Sequence, residues 1–150
     1  MEKTKLVGKW FITLYGSPGE VKQTIQGTNV ITTDGKSFLA GFLYSAAAAA
    51  STFTMKYLAI GSDSTAEAVA NTALGTELNR VAGTVSQVAG AIYRVTGTFA
   101  SGIGTGNVYE YGLFSTATTG AGTIFSRDTE GLVTKGANDS LVVITEVTIS

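Results

Sequence analysis

The chain has 150 residues, a formal net charge of −1, 44% hydrophobic residues and only 14% charged ones. This is the size of one domain with a core of its own, but its charge content is far below the roughly 25% usual in soluble domains. With no histidine and no cysteine, it lacks the commonest general base, the strongest nucleophile, disulfides and soft-metal ligands, and without a basic stripe it is not built to hold nucleic acid.

Residues 6–15, LVGKWFITLY, alternate as a strand, with Trp10, Ile12 and Leu14 on one face and Phe11, Thr13 and Tyr15 on the other. Gly16-Ser17-Pro18-Gly19 is a turn, and residues 20–26 return as a second strand. Residues 34–45 change period: Phe38, Leu39, Phe42 and Leu43 recur at helical spacing, behind Thr32, Thr33 or Asp34 as caps. Gly35 and Gly41 weaken that helix by about 1 kcal/mol each relative to alanine. The five alanines at 46–50 either extend it or form a small-residue linker.

Strand patterns resume at 53–60. An alanine-rich stretch follows, with room for a helical turn near 65–70. Residues 79–88 and 91–100 read as a hairpin around Ala89-Gly90, followed by strands at 108–115, 122–127 and, most clearly, 141–149. The fold class expected is mainly β: an antiparallel β-sandwich or jelly-roll-like barrel with one short helix near residues 34–46. There is no internal repeat. No apolar run is long enough to span a bilayer as a helix, and the basic start, MEKTK, reads neither as a signal peptide nor as a strand but as a mobile arm.

Candidate sites are few. Gly102-Ile103-Gly104-Thr105-Gly106 precedes a strand pattern rather than a helix, which suits a hairpin loop and not a phosphate cradle. Asp63 is the one acid in Gly61-Ser62-Asp63-Ser64-Thr65, which suits a turn rather than a cation site. No catalytic, cofactor-binding or metal-binding residue is assigned, and the chain is expected not to be an enzyme. Glu77, Arg80, Arg94 and Glu110 are candidates for structural ion pairs, as Glu110–Arg80 or Glu77–Arg94. Trp10, Phe11 and Tyr15 are the candidate interface, one strand face inward and the other against a partner. Tyr109 and Tyr111 are aromatics that could stack on sugars. With no side chain titrating between pH 5 and 8, stability is expected to be flat from about pH 6 to 9.

The order GTNVITTDGKSFLAGFL (27–43), YLAIGSDST (57–65), NTALGTELNR (71–80), YEYGLFS (109–115) and LVVITEVTI (141–149) resembles a group of small virion proteins of tailed bacteriophages. Their patterns run like N-v-v-t-x-x-G-x-x-x-L, Y-l-A-v-G-t-g-t-t, T-x-L-x-x-E-x-x-R and E-x-G-L-F. The resemblance spans residues 27–150, leaving 1–26 as an N-terminal arm and hairpin joined to a β-sandwich virion domain. It implies a capsid decoration (cement) protein stabilising the assembled shell, or else a tail, baseplate or fibre component. A glycan-binding β-sandwich is a further reading. The partners implied are further copies of the chain, as a homotrimer, and the phage major capsid protein or tail proteins, with no membrane and no nucleic acid. The place implied is the virion, on the outer capsid surface or tail, after assembly in the bacterial host cytoplasm.

Overall fold

The structure, a computed structural model, describes Lys3, residues 5–45 and residues 55–150. The alanine run 46–50 and the start of the strand expected at 53 lie outside the described residues.

In chain order the elements are β1 (Leu6–Tyr15), β2 (Val21–Ile31), α1 (Thr33–Ser45), β3 (Tyr57–Gly61), β4 (Glu77–Ala82), β5 (Thr84–Val88), β6 (Ile92–Phe99), β7 (Gly106–Phe114), β8 (Ile124–Lys135) and β9 (Ser140–Ile149). The strands form one nine-stranded antiparallel sheet in the order β4-β3-β7-β8-β2-β1-β9-β6-β5, nearly closed into a barrel. The closure follows from one residue. β4 and β5 are the two edges of the sheet, yet only Gly83 separates them in the chain, so the edges must meet. Gly83 N–H donates to the Lys56 carbonyl at 2.8 Å. A Cβ there would lie 2.4 Å from Val95 Cγ1, so only glycine turns this corner.

Inside lies the main core. Trp10, Ile12 and Leu14 of β1 meet Leu58 and Ile60 of β3, Val95 and Phe99 of β6, Leu113 of β7 and Leu141 and Val143 of β9. These positions follow the two-residue period of a strand with one buried face. A smaller outer core, Ala59, Leu74, Phe114 and Ile124, forms where the 62–76 segment folds back over β3, β7 and β8. Those strands are therefore buried on both sides.

α1 starts where Thr32 Oγ1 accepts the Gly35 N–H at 2.9 Å and donates to the Ile124 carbonyl at 2.7 Å. Phe38 and Leu39 then pack on the main core. An apolar recess of about 260 Å³ remains between α1 and the barrel, lined in part by Leu6, Phe38, Met55 and Val147.

Several boundaries differ from expectation. The split at residue 26 falls inside β2, and β1 lies between β2 and β9, so the N-terminal hairpin is an integral part of the sheet. The arm is shorter than expected, because Lys5 already pairs with Ser150 in both directions. Residues 79–88 are two strands broken at Gly83, and 65–70 hold turns and no helix. The strand expected at 122–127 runs on to Lys135.

Candidate functional site

The outer surface of the barrel has two unlike halves. Over β3, β7 and β8 it is sealed by the 62–76 and 115–123 segments, each pinned by one arginine. Glu110 is fully buried on the outer face of β7. It accepts Thr76 N–H at 2.8 Å, Gly75 N–H at 2.9 Å and both Nε and Nη2 of Arg127, at 3.0 and 2.8 Å. The remaining Arg127 N–H groups donate to the Thr65 and Ala66 carbonyls and to Asn71 Oδ1. Every head group in this buried pair is thus satisfied, the condition under which such a pair is tolerated. A polar recess beside Arg127, lined also by Asp63 and Asn71, therefore presents a guanidinium already committed to the fold.

Arg80 does the same for the second segment. It holds Glu77 bidentately, at 2.7 and 2.8 Å, donates to the Thr116 and Ala121 carbonyls, and lies 3.7 Å over the Phe114 ring. Arg94 of β6 pairs with Glu146 directly across on β9. All four candidate ion-pair residues are thus in ion pairs, but with other partners than expected: Arg80 with Glu77, Arg94 with Glu146, and Glu110 with Arg127. Arg127 was missed. It sits in the strand whose pattern was least visible, and cross-strand partners depend on register that spacing along the chain does not carry.

Over β2, β1, β9, β6 and β5 the outer face is different, because among the described residues no helix or other strand packs across it. The ladders place Gln26, Phe11, Ile144, Thr96 and Thr84 in one row, and Thr24, Thr13, Val142 and Thr98 in the next. Val7, Thr148 and Ile92 form another row, and Val21, Tyr15 and Ser140 close the face at the hairpin end. One charged row, Lys9, Glu146 and Arg94, crosses it. The poverty of charge in the composition is concentrated here, on a broad face of threonines and apolar side chains.

This face sorts the aromatic candidates. Phe11 and Tyr15 lie on it, half-buried. Trp10 does not: it is fully buried in the barrel, its ring 6.0 Å from that of Tyr111, so as an interface residue it is corrected to core. Tyr111 is also fully buried and is no platform for a sugar.

At the loops, Asp63 Oδ1 accepts the Thr65 N–H at 2.9 Å and the Thr65 hydroxyl at 2.8 Å, closing a turn. These bonds hold its carboxyl below the ordinary range. A strand and not a helix follows Gly102–Gly106.

The barrel interior overturns the expectation of pH-independence. Asp128 of β8 points inward, is fully buried, and has no hydrogen-bond partner besides the Glu130 carboxyl and the Thr129 backbone N–H. Burial, then the negative charges of Glu130 and Glu67, push its pKa up to about 7. Burial and then the charge of Glu67 raise Glu130 as well, against the hydrogen bond with Asp128, which lowers it. No family model matches the chain, and no curated protein or solved structure matches it either.

Proposed function

We propose that the chain is a structural protein of a tailed-bacteriophage virion and, within the virion, a capsid decoration subunit that acts as a homotrimer. The observation that carries this reading is the outer face of β2, β1, β9, β6 and β5, which no other described element covers and where charge is confined to one row and to the Lys22–Asp139 pair at the hairpin end. A soluble monomer normally covers or charges such a surface; an assembly subunit keeps it for a neighbour. The order of motifs shared with small phage virion proteins supports the same reading. So does the second half of the molecule, where buried arginines hold the loops in fixed shape and leave a rigid body to dock.

The action follows from mass action. A subunit that binds only the assembled shell adds its binding free energy to that state, and the weak contacts of one trimer combine through high effective concentration. Mass spectrometry of purified heads separated from tails tests the assignment. The chain is expected in the head fraction, at a stoichiometry fixed relative to the major capsid protein. Recovery in tails alone would favour a tail or baseplate role, and absence from both would overturn a virion role.

A further inference from the structure

At one point in the barrel interior two carboxylates meet without a basic side chain; the buried Lys135, further along β8, donates to the Ala100 and Asp139 carbonyls. Asp128 and Glu130 occupy alternate positions of β8 and share its inner side, whereas Arg127, just before Asp128, points outward and is spent on Glu110. The two carboxylates converge on Gly27 of β2: a Cβ there would lie 1.7 Å from Glu130 Oε1 and 2.9 Å from Asp128 Oδ2. The other charge acting on both is Glu67, also negative. A pair of carboxylates brought together in a low dielectric takes up either a shared proton or a cation, and among the described residues no lysine or arginine forms an ion pair with either.

Two neutral groups on the neighbouring strands are unpartnered. Tyr111, directly across from Asp128 on β7, is fully buried, and its hydroxyl has no hydrogen-bond partner. On β2, Asn29 lies one step beyond the Val30–Arg127 pair, and neither atom of its amide has a partner. Its neighbour on β1 is Gly8, where a Cβ would fall 1.5 Å from Asn29 Oδ1. Gly27 thus makes room for the two carboxylates, and Gly8 on the next strand for the Asn29 amide. A fully buried polar group without a partner is rare, and the Tyr111 hydroxyl near two carboxylates marks a place where something else completes the bonding.

We propose that the space beside Gly27 is a binding site for a hard, oxygen-preferring cation such as Ca2+, held by the carboxylates of Asp128 and Glu130 with the Tyr111 hydroxyl as a neutral oxygen partner. Two carboxylates and a neutral oxygen, with no nitrogen or sulfur ligand, select this class of ion over transition metals. With only two charged ligands the affinity falls in the weaker range known for calcium sites, half-saturation near ~0.1–1 mM.

Trp10 is the only tryptophan in the chain. It sits on the inner face of β1 opposite Gly27, with its Nε1–H unpartnered, and so reports on the site. The experiment uses the whole chain, freed of metal with a chelator at pH 8, then titrated with CaCl2 to 10 mM while Trp10 emission and the thermal midpoint are followed. The expected result is a saturable change in emission with a rise of several degrees in midpoint. Both should weaken at pH 5.5, where protons compete, and both should be lost in Asp128→Asn. Glu130→Gln, at the half-buried position, serves should Asp128→Asn fail to fold, and should weaken binding at least tenfold. Emission and midpoint indifferent to Ca2+ but titrating with pH near 7 would overturn the proposal, since protons alone then balance the pair. An unchanged Ca2+ response in both folded variants would also overturn it.

Discussion

Arg127 and Asp128 are adjacent in β8 and show how the same strand treats charge in two ways. Arg127 has all its partners, so its worth is visible when one is removed. Arg127→Met leaves Glu110 buried among backbone N–H groups without its counter-charge, and is expected to destabilise the fold by about 3–5 kcal/mol. For a chain of this length that is a fall of roughly 10 °C or more in thermal midpoint, measurable by circular dichroism. Arg94→Met, at the half-exposed pair with Glu146, is the control and should cost at most about 1 kcal/mol. Asp128 has no basic partner among the described residues, and its effect is read through pH. Its folded pKa of about 7 lies above the ordinary 3.8. The folded chain therefore holds a proton that the unfolded chain has lost, and the stabilisation from that proton is complete below the unfolded value and fades as pH rises through the folded one. In chelator, the thermal midpoint should fall between about pH 4.5 and 8, Glu130 adding in the same direction, and Asp128→Asn should flatten the slope. Asp63 and Asp139, whose carboxyls are held low by hydrogen bonds, act in the opposite sense, with losses only as pH falls below the ordinary carboxylate range.

At the scale of elements, α1 offers a paired test. Gly35 and Gly41 are both helical glycines, yet their surroundings differ. A Cβ on Gly35 would meet the Phe125 carbonyl oxygen at 2.2 Å, whereas one on Gly41 would meet nothing within 4 Å. Gly41→Ala should stabilise by about 0.5–1 kcal/mol through helix propensity. Gly35→Ala should destabilise despite the same propensity gain, because α1 would have to leave β8. Thermal unfolding of the two variants side by side checks both signs. The helix itself was legible from Phe38, Leu39 and Phe42, and β1 and β9 from clean alternation, because in each the inward positions are apolar. β8 was legible only to Arg127, because its inward positions Ser126, Asp128 and Glu130 are polar and erase the alternation by which a half-buried strand is recognised. The break at Gly83 was hidden for the opposite reason: Val81, Gly83 and Val85 keep a strand's period straight through the corner. The face assignment of Phe11 and Tyr15 was readable from period alone. Which of the two faces of β1 turns inward was not, since both carry aromatics and the choice is made by the neighbours β2 and β9.

Over the whole molecule, the unequal treatment of the two outer halves is the main architectural fact. One half is closed by loops that buried arginines anchor; the other is an open sheet of threonines and apolar residues ending in the exposed edge strand β5. An edge of sequence TVSQV carries no lysine, proline or other charge to discourage pairing. β1 lies in the middle of this open sheet, so trimming residues 1–9 would remove part of a central strand as well as the arm, and cannot separate docking from folding. Point substitutions on the outer face can. The most direct test is sedimentation equilibrium of the purified chain beside Phe11→Asp and Ile144→Asp, with circular dichroism to verify the fold. The account predicts a trimer for the natural chain at micromolar concentration and a folded monomer for each variant. A natural chain that stays monomeric at ~100 μM, or variants that keep the trimer, would contradict assembly through this face.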